Sequence, residues 1–189
     1  IGLQASSLKP DYVSQPAHGA LPKAGIEVNN VIMTLGGSSS GLNEFFKLNT
    51  GIVANNSKLT VRRSKFYNIA YDPFYSEPYR GNSIVVVRTP DSDFAGSRLD
   101  VLPEPFTFNT IENCYKGIYT FGASFQANSI HILNVHTGVR AENASTLSIN
   151  MINNCTITAT NFGIYYIRNP WAKQLIATNN KITINGVND

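Results

Sequence analysis

What most constrains this chain is a short pattern that keeps returning: an apolar residue, any residue, asparagine, then in most copies a small apolar residue. It reads Val28-Asn29-Asn30-Val31, Phe66-Tyr67-Asn68-Ile69, Ile111-Glu112-Asn113-Cys114, Ile132-Leu133-Asn134-Val135 and Ile152-Asn153-Asn154-Cys155, with a degenerate copy at Thr178-Asn179-Asn180-Lys181. With Asn49 counted as a further copy, Asn30, Asn49 and Asn68 are 19 and 19 residues apart, and Asn113, Asn134, Asn154 and Asn180 are 21, 20 and 26 apart. A glycine landmark follows at Gly117-Ile118, Gly138-Val139 and Gly163-Ile164, four, four and nine residues after its asparagine. Gly51-Ile52 is the same landmark near Asn49. The longer last gap contains Thr158-Ala159-Thr160-Asn161 and reads as a small turn insertion.

A unit of this length cannot bury its apolar side alone, so neighbouring units must stack. Each copy offers strands of a few residues with alternating apolar positions, and stacked coils pair in parallel at about 4.8 Å per rung around a column of Ile, Val, Phe and Leu. The predicted fold is all-β, a right-handed parallel β-helix. Asn113, Asn134, Asn154 and Asn180 are expected to stack as a structural ladder of side-chain amides, and the glycines to supply a positive φ at the next bend. Composition agrees: charged residues are 14% of the chain, against roughly 25% in ordinary soluble domains, and no apolar spacing holds a helical period.

Aligned on the glycines, Tyr119, Arg140 and Tyr165 fall at equivalent outward positions, because strand side chains alternate. Such a stripe offers ring faces for a sugar and a cation for a uronate or sulfate; its plain structural alternative is an arginine packed between two rings. The same alignment puts Tyr115, His136 and Thr156 in one column, and Cys114, Val135 and Cys155 in another. Two rungs would then separate the cysteines by about 9–10 Å, beyond the ~7 Å Cα limit of a disulfide.

The rungs from Ile111 to Ile184 resemble the right-handed parallel β-helix of the pectate-lyase-like superfamily, on Asn113-Cys114-Tyr115-Lys116-Gly117-Ile118, Asn134-Val135-His136-Thr137-Gly138-Val139 and Asn154-Cys155-Thr156 with Phe162-Gly163-Ile164. The stretch from Gly25 to Tyr71 resembles it more distantly. The superfamily holds pectin-degrading lyases and hydrolases, phage tailspikes, adhesins and bacterial surface proteins, so the resemblance implies a fold rather than an activity. The chain has no Asn-Thr-Asp, Asp-Asp, Gly-His-Gly or Arg-Ile-Lys of the hydrolases, and neither the Trp-Ile-Asp-His run nor the Arg-x-Pro-x-x-Arg motif of the lyases.

Residues 1–24 read as an irregular lead-in over the first rung, and 25–189 as the β-helix. The helix is interrupted at 72–105 by an excursion with five of the nine prolines and six of the twelve acidic residues. That excursion reads as one long loop or two loops flanking a rung. It offers the aromatic cluster Tyr71, Phe74, Tyr75 and Tyr79 beside Arg80, with Trp171 on a later loop as another platform. No cofactor is expected. Calcium through Asp91 and Asp93 with Asp100 is the one candidate, and the lack of EF-hand spacing favours solvated carboxylates instead.

The +3 charge is scattered, and the run Arg62, Arg63 and Lys65 makes no stripe, which argues against nucleic acid. No stretch approaches the ~20 apolar residues of a membrane span. Lys181 to Ile184 still reads as a rung, so the chain is expected to be a piece of a longer protein, or to have that edge covered by further rungs, another domain or another chain. The expected function is a secreted or cell-surface module that binds or presents against carbohydrate without catalysis. The alternatives are a lyase or hydrolase of acidic polysaccharide, and a tailspike- or adhesin-like segment. Sequons stand at Asn55, Asn143 and Asn154, the last expected to be buried in the ladder. Thiol titration of the unfolded, unreduced chain is expected to find two free thiols; a Cys114–Cys155 bond would contradict the solenoid register.

Overall fold

The computed structural model describes residues 21–37, 41–73, 75–90, 96–105, 107–144, 148–168, 170 and 174–186. Phe74, Asp91, Asp93, Trp171 and most of the lead-in lie outside the described residues. The strands in chain order are β1 Ile26–Asn29, β2 Ile32–Leu35, β3 Asn43–Phe46, β4 Thr50–Asn55, β5 Lys58–Val61 and β6 Ser64–Tyr67. They continue with β7 Asn82–Val87, β8 Arg98–Val101, β9 Asn109–Glu112, β10 Lys116–Phe121 and β11 Ser124–Asn128. The last are β12 Ile130–Ala144, β13 Asn150–Asn153, β14 Thr156–Arg168, β15 Leu175–Thr178 and β16 Lys181–Ile184.

Every strand pairing is parallel, and the chain winds as a β-solenoid of about six turns with three faces. The first face stacks β1, β4, β7, β10 and the later halves of β12 and β14; the second stacks β2, β5, β8, β11, β13 and β15. The third stacks β3, β6, β9, the earlier halves of β12 and β14, and β16. β12 and β14 turn the third corner without interruption and so serve two faces each.

The interior is a set of columns. Ile26, Ile52, Ile84, Ile118, Val139 and Ile164 align on the first face. Phe45, Phe66, Ile111, Ile132, Ile157 and Ile182 align on the third. Phe66, Ile111, Ile132 and Ile157 are fully buried, each such side chain stabilising the fold by about 1.5–3 kcal/mol. Consecutive members of the first column lie from 21 residues (Ile118 to Val139) to 34 residues (Ile84 to Ile118) apart. Loops at the corners absorb the difference. The 72–105 excursion resolves into loops around two integral strands, β7 and β8, the second of which the sequence reading had not separated.

The asparagine landmark does a different job from the one expected. Eight of the eleven non-glycine residues at positive φ among the described residues are asparagines, including Asn68, Asn113, Asn134 and Asn154, each at 54°. Asparagine tolerates this left-handed conformation better than other residues with a Cβ, and it lets each corner turn while the backbone ladder continues, as in Asn113 N–H to the Leu133 carbonyl at 3.1 Å. Nor do these residues form one ladder. Asn113 and Asn134 turn the third corner, whereas Asn154 turns the second beside Ser129 and Asn179. The nine-residue gap before Gly163 is therefore not an insertion; it is the whole third face, Thr156 to Ala159. Asn154 is exposed, not buried. Asn180 does bond along the axis, accepting at 2.9 Å from Cys155 N–H and donating at 2.9 Å to the Ile152 carbonyl.

The glycines also exchange roles. Gly117, Gly138 and Gly163 lack the positive φ expected of them and are needed for space. A Cβ at Gly138 would lie 2.4 Å from the Gly163 carbonyl oxygen and 2.5 Å from Ile157 Cγ2. Third-face isoleucines thus pack directly on first-face backbone.

Cys114 and Cys155 are buried free thiols, though not in one column: Val135 pairs with Ala159, and Cys155 precedes Thr156, the partner of His131. Denaturant titration separates the two accounts of the corner asparagines. Asn134→Ala should destabilise the chain by about 1–2 kcal/mol, the cost of the left-handed conformation for a residue with a Cβ, and Asn134→Gly should be near neutral; an amide ladder would make both costly.

Candidate functional site

On the outside of the first face Tyr119 pairs with Arg140 and Arg140 with Tyr165, as the glycine alignment required. The Arg140 guanidinium lies 5.8 Å from the Tyr119 ring and 5.5 Å from that of Tyr165, while its Nε and Nη2 bond Glu142 at 2.6 and 2.5 Å. The stripe is thus a cation–π ladder. Tyr119 is not a sugar platform, since it is 7% exposed. The preceding residues of its column, Val53 and Val85, are apolar, and Tyr79 packs against this cluster together with Ala24, Val87 and Phe121. Burial, with Glu142 and Glu77 nearby, pushes the Tyr119 phenol up to about 12.

Beyond that covered half the face opens into a depression of about 220 Å³, lined by Tyr115, Lys116, His136, Thr137, Arg140, Asn161, Phe162 and Tyr165. Its origin is local. Gly138 would direct a Cβ at Ile157, and Val139 is fully buried in the core, so two successive residues face inward. No outward side chain separates the row Lys116, Thr137, Phe162 from the row Tyr119, Arg140, Tyr165. The gap between the rows is the floor.

The third corner supplies one wall. Tyr115 and His136 stack with ring centroids 4.6 Å apart, and Tyr71 leans on Tyr115 at 4.4 Å. The next member of this column is Asn161, not Thr156, which pairs with His131. Asn161 Nδ2 lies 3.4 Å from His136 Nε2, and His136 Nδ1 lies 3.2 Å from Thr137 Oγ1. With the amide donating, Nε2 accepts and the proton sits on Nδ1. Burial, then the charge of Lys116, lowers the His136 pKa, so the imidazole is neutral near pH 7. Lys116 is 3% exposed. Burial lowers its pKa, opposed by its hydrogen bond and ion pair with Glu77. For Arg140 burial works downward too, but Glu142 outweighs it and the pKa is raised.

The other expected residues lie elsewhere. Tyr79 donates its hydroxyl to Glu27 at 2.8 Å under Lys23, and burial, with Glu27, raises its pKa. Arg80 donates to the Tyr75 carbonyl at 2.7 Å and lies over Tyr71. Tyr79 thus ties its loop to β1, and Arg80 braces that loop from within. Asp100 sits on β8 and binds Arg98 at 2.6 Å, and no group of three His, Cys, Asp or Glu able to hold a metal occurs among the described residues. The sequence reading missed Asn161 and Phe162, which the glycine landmark would have found two residues and one residue before Gly163. It also missed Glu77, for which no local signal exists.

By NMR the His136 imidazole should titrate below its ordinary 6.5. A depressed histidine pKa means that the unfolded chain binds the proton first. Stability is therefore fully held above pH 6.5, falls as pH drops through that value and levels off below the folded pKa, and His136→Gln should flatten the slope. Compared with protein-family models, curated proteins and solved structures, the chain matches none, so its function is argued from this geometry.

Proposed function

We propose that the chain is a non-catalytic carbohydrate-binding module of a secreted or cell-surface protein, a pectate-lyase-like β-helix that seats one acidic sugar unit of a glycan in the first-face depression. The observation that carries this reading is the gap between two outward rows, edged by Tyr115, Phe162 and Tyr165 and served by Lys116, His136 and Arg140. At about 220 Å³ it is smaller than the roughly 300–1,000 Å³ of pockets for drug-sized ligands, which suits one ring of a chain lying across the face. Phe162 is 43% exposed among the described residues, an aromatic surface for a sugar. Phenol hydroxyls and the guanidinium edge suit hydroxyls and a carboxylate.

Binding is favoured over hydrolysis by the kind of groups present. Inverting and retaining hydrolysis both use two carboxyl groups flanking the scissile bond. None of the residues lining the depression is a carboxylate, and the nearby Glu77 and Glu142 are each committed to a cation. A second reading is an adhesin- or tailspike-like assembly segment. Ile182 and Ile184 in β16 are 44% and 49% exposed, apolar surface that further rungs, another domain or another chain would cover.

A glycan array paired with a release assay on acidic polysaccharides tests the proposal. The expected outcome is binding to uronate-containing glycans, weakened at least tenfold by Tyr165→Ala and by His136→Ala, with no product released. Unsaturated products would replace it with a lyase. Absence of binding together with concentration-dependent association in light scattering would favour the assembly segment.

A further inference from the structure

The best-buried cation of the depression already has a carboxylate on it. The segment before β7 sets Glu77 against the ammonium of Lys116. The other carboxylate oxygen accepts from Asn82 Nδ2 at 2.8 Å, and Asn82 is completely buried one rung before Lys116 in the same column. Lysine and amide together are the charge-assisted donor set that recognises a carboxylate. Their burial contrasts with that of their guest: the Lys116 side chain is 4% exposed and that of Glu77 is 32% exposed. The donors are thus built into the sheet, and the carboxylate reaches them from a loop beside the depression, which Lys116 lines. Asn82 Nδ2 also donates to the Pro78 carbonyl at 2.7 Å, which fixes the amide in place to donate to a carboxylate.

We propose that Lys116 and Asn82 form a carboxylate-binding site, that Glu77 occupies it as an internal stand-in, and that an incoming carboxylate displaces the Glu77 side chain while Tyr79 and Tyr71 keep their own contacts with the sheet. The glycan reading enters only in naming the natural guest, a uronate. The exchange replaces one carboxylate by another, so the buried ammonium keeps a counter-charge, whose loss would cost several kcal/mol. A neutral sugar offers no such replacement and leaves Glu77 in place. Because Glu77 is tethered, it competes at an effective concentration on the order of millimolar. Removing its charge should therefore raise affinity for free carboxylates rather than lower it, the opposite of what a residue that touches ligand directly would do.

The test uses the full chain, with acetate, D-galacturonate and D-galactose as probes and two measurements. In the first, amine acylation at Lys116 is followed by peptide mass spectrometry. Glu77→Gln should raise the Lys116 rate at least tenfold over wild type, and acetate or D-galacturonate, but not D-galactose, should slow it again. In the second, hydrogen exchange of the backbone around Glu77, residues 75–80, in the wild-type chain should quicken with D-galacturonate and not with D-galactose; this measurement needs no variant and stands even where Glu77→Gln folds poorly. The Glu77→Gln/Lys116→Met double variant, which removes both charges, should show no carboxylate-dependent exchange. Unchanged Lys116 reactivity in Glu77→Gln, or equal effects of galactose and galacturonate, would overturn the site. Protection by acetate without binding of any glycan would uphold the site and overturn the glycan reading. Glycan binding without carboxylate protection would do the reverse.

Discussion

Backbone pairing between successive rungs is the constraint on which everything else in this molecule depends. Most of its strands are four to six residues long, too short to persist alone, and no helix shares the load among the described residues. Hydrogen bonds and side-chain contacts therefore accumulate along the axis, column by column, at the parallel-strand spacing of about 4.8 Å. That spacing reappears in the side chains. Phe45 and Phe66 stack inside at 4.7 Å, Phe46 and Tyr67 outside at 5.0 Å, and Tyr115 and His136 at the third corner at 4.6 Å. A residue is tolerated only if it suits the one above and the one below it, which makes left-handed asparagines at the corners and glycines beneath the third-face isoleucines properties of columns rather than of single turns.

The candidate site is a by-product of the same rule. Where glycine and valine follow one another facing inward, the outer surface loses a row of side chains, and stacking repeats the loss on the neighbouring rungs. A groove results without any cavity in the core. Its chemistry comes from residues that the backbone holds in register from either side, so that cations and rings alternate along the axis. Stacked rings present their edges to solvent because their faces are occupied. What the groove offers is therefore hydroxyls, the guanidinium of Arg140 and the ring of Phe162.

Much of this was legible in the residues. The glycine landmark correctly paired Tyr119 with Arg140 and Arg140 with Tyr165, because Gly117, Gly138 and Gly163 occupy the same close-packed position in three successive rungs. The asparagine landmark misled, because the left-handed turn it serves occurs at all three corners. Asn154 was therefore read as the counterpart of Asn134 when it turns a different one, which displaced Thr156 and Cys155 into the wrong columns and hid Asn161. Exposure was misjudged where a distant segment intervened. Nothing local to Tyr119 announces that Tyr79 will pack against its cluster, and nothing local to Glu77 announces that it will meet Lys116, 39 residues later in the chain.

By itself the sequence determined the class of fold and the composition of its columns, since alternating apolar residues, corner asparagines and close-packed glycines admit few structures other than stacked parallel coils. Only the tertiary structure decided which corner each asparagine turns, how much of the first face lies open and which cation is already paired. Those outcomes depend on loops of unequal length folding back across the rungs, and the energy of such contacts belongs to pairs of residues far apart in the chain, where no local pattern records it.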